Sequence, residues 1–365
     1  MKSGRLVFAI VGCIVLLPQS RADWPVFRGN PQMTGTSTAK LPDQLRLLWT
    51  FRCSDAVEGA PAIVGNRVFV AAMDGHLYCL DRDSGKEIWR TRLGPMKASP
   101  AHAQGRVYIG DVDGKVYAID ADSGKKLWSF ETGGEITSGA NFYKDRLLIG
   151  SHDSTLYCLS HDGKKLWEYK IDGPINGSPA VVEDRTFVAG CDSVLHAVDA
   201  RTGKVIRTVE LHGQAGATAA IHGDLAVVGT MANQVVAIDW RNGQKLWSFE
   251  ARRRQLPFYA SAAVDDERVV VGSRDKKIYA LNPKNGEEVW SFVTAGQVDA
   301  SPIICSNRIY AGCLSRDGDF YVLDRTTGRQ LQHLELESAV TGSPAVVDDR
   351  LIVGTEKGVV FCFGR

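Results

Sequence analysis

The sequence predicts an all-β, eight-bladed β-propeller of four-stranded antiparallel blades, the last blade closed by a strand from near the N-terminus. Three observations predict it. The first is a repeat. The stretch Ala118–Trp128 (AIDADSGKKLW) returns along the chain, and its closing position falls at Trp89, Trp128, Trp167, Ile206, Trp247, Trp290 and Leu331. That spacing of 39 to 43 residues belongs to blades, arrays or solenoids. The second is the content of one unit. Each reads as four short β-rich runs joined by turn residues, with no helical period of useful length. The third is a mismatch in the count. Eight units supply strands one to three, beginning near Ala60, Ser99, Gly139, Ser178, Thr218, Ser261, Ser301 and Ser343, but only seven are followed by their own fourth strand.

The unit at residues 98–130 shows how the strands are written. Ser99-Pro100-Ala101 opens a short apolar run, and Gly105-Arg106 turns it. Val107–Gly110 is the second strand. Asp113-Gly114 suits a two-residue hairpin, because both centres want φ > 0. Val116–Ile119 alternates as the third strand, Asp122-Ser123-Gly124 turns again, and Leu127–Phe130 is the fourth. The eighth unit runs through Val359–Phe363 and lacks that fourth strand. Leu45–Phe51 (LRLLWTF) has the missing pattern and precedes the first unit. It is expected to close blade eight, which removes the open edges of a linear stack.

The expected organisation is a signal peptide at 1–22, an irregular segment at 23–44 and the propeller at 45–365. Lys2 and Arg5 form a basic start, Leu6–Leu17 an apolar core, and Ser20-Arg21-Ala22 a small-residue cleavage site. The apolar run is shorter than the roughly 20 residues of a spanning helix. The expectation is therefore an exported protein, periplasmic or extracellular, with no transmembrane span. Lipid anchoring at Cys13 is the lesser alternative, since Cys13 lies inside the apolar run. The irregular segment is expected to lie over the propeller, pinned by Trp24 and Phe27.

Formal charge is +1 over the whole sequence. Without residues 1–22, which hold Lys2, Arg5, Arg21 and no acid, 40 bases stand against 42 acids. That balance lacks the electrostatic footprint of a nucleic-acid binder. Seven Cys follow residue 22, an odd number without CxxC or zinc spacing. Cys79, Cys158 and Cys362 replace the Ala of sister third strands, so they read as buried free thiols; Cys305 and Cys313 form the one pair that could be bridged. No Gly-x-Ser-x-Gly elbow, P-loop or dinucleotide fingerprint is present.

One position breaks the repeat. Before each innermost strand stand an apolar residue, a variable one, and a small one. The variable residues are Glu58, Lys97, Thr137, Asn176, Gly216, Tyr259, Asp299 and Thr341. They fall on blade-to-blade connections and are expected to ring one mouth of the central channel. Glu58, Asn176 and Asp299 carry oxygens of the kind that bind Ca²⁺, which makes them the weak metal candidates, although solvated loop polars would look the same. The longest connection carries Arg252, Arg253 and Arg254 before Leu256-Pro257-Phe258-Tyr259. It suits an acidic partner or a solvated charge run. No catalytic residue emerges.

The motif Ala-x-Asp-x-x-x-Gly-Lys-x-x-Trp resembles the tryptophan-docking motif of the pyrroloquinoline quinone (PQQ) repeat, a family that includes quinoprotein alcohol dehydrogenases and the envelope propeller BamB. The resemblance covers roughly residues 45–365. It implies structural docking roles for Trp49, Trp89, Trp128, Trp167, Trp247 and Trp290, which would pack between blades. It implies tight turns at Gly85, Gly124, Gly163, Gly203, Gly243, Gly286 and Gly328. The dehydrogenases' vicinal Cys-Cys pair and C-x-x-C-H haem site are missing. The expectation is a monomeric, non-enzymatic scaffold that needs no cofactor and binds a protein, saccharide or small ligand on one face. The alternatives are a dehydrogenase holding PQQ with calcium and a small-ligand envelope sensor.

Overall fold

The computed structural model describes residues 23–251 and 256–365. Residues 1–22, with Cys13, and Arg252, Arg253 and Arg254 lie outside the described residues. The described chain forms eight antiparallel four-stranded blades around a channel. Blade 1 is Ala62–Val64, Arg67–Ala71, His76–Asp81 and Glu87–Arg92, from axis to rim. Blades 2 to 7 repeat that order. In blade 8, Ala345–Val347, Arg350–Gly354 and Val359–Gly364 are completed by Arg46–Arg52, whose Arg46 stands opposite Gly364 and Arg52 opposite Val359.

Third strands are buried on both faces because each blade packs between two others. Val116, Ala118 and Ile119 are fully buried in blade 2, as are Cys79, Cys158 and Cys362. All seven cysteines of the described residues are free thiols, Cys305 and Cys313 among them. Burial pushes the thiols of Cys79, Cys158 and Cys362 up to about 12. Fourth strands are the wettest, and their exposed Ile88, Leu127 and Leu166 mark the rim.

The docking turn connects sequence to blade packing. In blade 2, Asp120 Oδ1 accepts hydrogen bonds from the Ser123 amide and hydroxyl, and the Gly124 amide donates to the Asp120 carbonyl. Gly124 adopts φ +71°, and a β-carbon there would lie 2.7 Å from the Trp89 ring. Only glycine gives both the backbone angle and the flat seat. The Trp89 indole then donates to the Ala121 carbonyl at 3.1 Å. Trp49 bonds Arg82, Trp128 bonds His161, Trp167 bonds Ala200, Trp247 bonds Pro283 and Trp290 bonds Arg325 in the same way. Gly85, Gly163, Gly203, Gly286 and Gly328 seat the other five indoles. Gly243 differs: the strand register sets Arg207, not the expected Ile206, at the Trp place opposite Ala197, and its side chain covers the glycine. In blade 7 the place belongs to Gln332, opposite Val322, and not to Leu331. That seam is filled from the other side. Trp240 of blade 5 packs edge-on against Phe187 of blade 4 at 5.4 Å, with Arg185 and Arg241 over its ring.

The same turns predict acid sensitivity. Hydrogen bonds hold four turn carboxylates below the usual range: Asp81 from the Ser84 hydroxyl, Asp120 from Ser123, Asp199 from Arg201 and Asp324 from the Thr327 amide. For Asp199 the value is about 2. A carboxylate depressed on folding stabilises the fold above its unfolded pKa and loses that contribution as pH falls. Denaturation midpoints should therefore hold constant down to about pH 4 and drop between about pH 4 and 2, as a urea titration across that range would show. Asp199→Asn should flatten part of the drop.

Within the segment 23–44, Thr36–Ser37 forms a short parallel strand against Ile304–Cys305 of blade 7. The rest is laid across the inner strands of the propeller. Trp24 exchanges two backbone bonds with Ile63 of blade 1, and Pro25 accepts from the His102 amide of blade 2. The Pro31 carbonyl accepts from the Asn141 side chain of blade 3 and the Val181 amide of blade 4. Gln32, Thr34 and Gly35 accept from Ile221, Val264 and Ile304, and the Lys40 amide donates to Asp348 of blade 8. One strap thus touches all eight blades and crosses the channel, with Phe27 at its floor.

Candidate functional site

A single polar cavity of about 420 Å³ opens at the channel mouth opposite the strap. All eight variable connection residues line it. The local cause is a notch. In six blades the second strand ends in a glycine, and the apolar residue of the following connection fits against it, as Ile136 does on Gly110, Ile175 on Gly150, Val298 on Gly272, Val340 on Gly312 and Val57 on Gly354. Blades 1 and 4 end that strand in Ala71 and Ala189. Those apolar residues are buried to 1% exposure or less. With that residue pinned inward, the next one faces the channel.

A second ring stands beside the first and escaped the sequence reading. It is the residue two positions past Ala71, Gly110, Gly150, Ala189, Gly229, Gly272, Gly312 and Gly354. In every blade its amide donates to the carbonyl two residues before the variable position, as His152 does to Glu135 and Arg274 to Pro257. Aligning the ends of the second strands, instead of the starts of the first, would have found it. Leu314, at the head of the blade 7 insertion, belongs to this ring and bonds Gln297.

The mouth's charges are paired in part. Arg274 clamps Asp299 through Nε at 2.9 Å and Nη2 at 2.7 Å, and its guanidinium lies 4.3 Å from the centroid of the Tyr259 ring. Lys97 Nζ is 3.1 Å from a Glu135 oxygen, and His152 Nε2 is 3.1 Å from the Thr137 hydroxyl. The Asn176 amide nitrogen points to the Cys191 sulfur at 3.3 Å. Glu58 is the carboxylate with least compensation. Burial raises its pKa, Lys97 opposes the rise, and Glu356, Glu135 and Asp55 add to it. Asp299 and Asn176 are thus engaged by separate partners, and Glu58 has no side-chain partner among the described residues. Among the described residues no group of three or more His, Cys, Asp or Glu is placed to hold a metal ion. Among the described residues there is also no helix long and apolar enough to cross a membrane.

Comparison with known proteins places the chain among propellers with divergent roles. The family model described as outer membrane protein assembly factor BamB matches residues 42–141, 113–256 and 250–363. The crystal structure of BamB from Moraxella catarrhalis superposes with a TM-score of 0.74 at 19% identity, covering 88% of this chain and all of that one. Quinohemoprotein alcohol dehydrogenase from Comamonas testosteroni gives 0.78 at 14% identity, covering 94% of this chain and 80% of that one. A 1-butanol dehydrogenase (quinone) from Thauera butanivorans is 39% identical over 59 residues, which is 16% of this chain and 9% of the enzyme.

Proposed function

The chain belongs to the PQQ-repeat propeller family represented by outer membrane protein assembly factor BamB, and from that premise we propose that it is a non-enzymatic scaffold of the cell envelope that holds a protein partner at its channel mouth. The observation that carries the reading is where the repeats differ. Strands, docking turns and glycine notches repeat from blade to blade, while the two mouth rings change residue at nearly every blade. A surface freed from the repeat's own packing rules is available for recognition. The basic start and apolar run of residues 1–22 support export, and the BamB structure supports the envelope as the compartment.

The mouth does not fit a calcium-held quinone. Calcium takes six to eight oxygen ligands at about 2.3–2.6 Å. Asp299 is committed to Arg274 and Glu135 sits beside Lys97, while Asn176 turns its amide nitrogen toward Cys191. No step of a redox reaction is assigned to these residues.

The test is site-specific photo-crosslinking in cells of the source organism. A crosslinker at Glu58, Lys97 or Thr341 should yield a discrete adduct with one envelope protein, and one at the rim residue Leu127 should not. Tyr259→Ala combined with Glu58→Lys should reduce the mouth adduct at least fivefold. Saturable, calcium-dependent PQQ binding with dye reduction by the purified protein would overturn the scaffold reading.

A further inference from the structure

Below the mouth lies a deeper ring of hydroxyls: Ser99, Ser178, Thr218, Ser261, Ser301 and Ser343. All line the same cavity, and each is at most 6% exposed. Each accepts a backbone amide from the blade before it. Ala60 donates to Ser99 at 2.9 Å, Gly139 to Ser178 at 2.9 Å and Ser178 to Thr218 at 2.8 Å. Thr218 donates to Ser261, Ser261 to Ser301 and Ser301 to Ser343 at 2.9–3.0 Å. The circle is interrupted at blades 1 and 3, where Ala60 and Gly139 offer no hydroxyl. At Gly139 a β-carbon would come within 3.1 Å of Phe27 Cβ, so that gap makes room for the floor.

A hydroxyl that accepts one hydrogen bond still has its own hydrogen to donate. Among the described residues, none of these six gives it to a protein acceptor. Thr341 Oγ1, in the wall of the same cavity, is buried without any partner. Beneath the floor lies a cation. Arg28 is 1% exposed, with its guanidinium carbon 6.0 Å from the centroid of the Phe27 ring. It donates to the carbonyls of Ser301 at 3.1 Å and Pro302 at 2.6 Å, and its Nε has no partner. Burial lowers its pKa to about 9, which leaves it charged at neutral pH. A buried cation held only by carbonyls keeps much of its field uncompensated.

We propose that the base of the mouth receives a single carboxylate, from the chain end or acidic side chain of a polypeptide or from a small free acid. The hydroxyl ring donates to its oxygens, and Arg28 supplies the attractive field through the floor. At the rim Lys97 and Arg274 pair Glu135 and Asp299, which leaves Glu58 as the carboxylate that opposes entry. A phosphate dianion is a poorer match, because it calls for direct contact with Arg or Lys and Phe27 stands in front of Arg28. The proposal rests on the mouth being the binding face and names what that face grips.

Calorimetric titration of the purified protein tests it, with acetate, inorganic phosphate, and a short peptide in free-acid and C-terminal amide forms. The acid peptide or acetate should saturate, and the amide should bind at least tenfold more weakly. Thr341→Val, which removes a hydroxyl that bonds nothing, should weaken carboxylate binding about fivefold. Ala60→Ser, which supplies the missing hydroxyl of blade 1, should strengthen it. Tighter binding of the acid peptide than of acetate assigns the carboxylate to a polypeptide, and the reverse assigns it to a free acid. Equal binding of acid and amide, tighter binding of phosphate than of either carboxylate, or no saturable binding overturns the proposal. If the mouth crosslink nevertheless persists, the scaffold reading stands and only the carboxylate assignment falls.

Discussion

A chain without residues 23–52 is expected not to fold to a monomer. The deletion removes Arg46–Arg52, the outer strand of blade 8, and so bares the edge of Val359–Gly364 (VVFCFG), every residue of which is buried in the intact ring. A flat apolar edge of that kind pairs with other chains. The deletion also removes Trp49, whose indole is seated on Gly85 and bonded to Arg82, and the reciprocal bonds between the Leu45 backbone and the Gln332 side chain that tie blade 8 to blade 7. Every blade loses its bond to the strap in the same step. Size-exclusion chromatography and near-ultraviolet circular dichroism should report aggregates without fixed aromatic packing. A monomer with a cooperative urea transition would show that seven complete blades carry the fold.

Trp247→Ala should cost about 3–5 kcal/mol, the usual range for truncating a buried large aromatic side chain. Trp247 is 7% exposed, packs with Phe249 and Tyr279 in one core cluster, and donates to Pro283 at 2.8 Å. Its removal opens a void over Gly286, which cannot fill it. The reverse substitution at the odd seam should not help. Arg207→Trp restores the motif in blade 4 by setting an indole on Gly243, yet the seam is already packed by Trp240. Urea denaturation of both variants decides the point. A stabilised Arg207→Trp would mean that Trp240 fills the seam poorly.

The blades were legible in the sequence because each strand, turn and docking residue obeys one local rule, and the rule is stated many times over. The closure of blade 8 was legible from the same count, since Leu45–Phe51 is a fourth strand with no unit before it. The first mouth ring could be read because it is where the rule lapses. The second ring comes into register only when the ends of the second strands are aligned, and alignment on strand starts misses it. His152, Arg274 and Glu356 sit beside hairpin turns, where polar residues are expected anyway, and the backbone bonds that aim them at the mouth leave no trace in residue type. The docking of the segment Asp23–Pro42 over the propeller could be read from Trp24 and Phe27, but its path across all eight blades could not. Most of its contacts with the inner strands are backbone to backbone, which any sequence can make. Arg28 carried no warning of its burial, because the space it occupies is built by residues some 270 positions away.

The strap also sets an order of assembly. Ribosomes deliver residues 23–52 before any blade, yet Asp348, which receives Lys40 in the turn after the inner strand of blade 8, and the strand that pairs with Arg46–Arg52 come last. Contacts spanning almost the whole chain are slow to form, because so much of the polypeptide must be brought into place before they can close. The nascent chain must carry its own lock unengaged through seven blades, with strand edges open to chance pairing for that whole interval. Holding factors that shield the leading segment should raise the yield of the native ring more than factors acting on any middle blade.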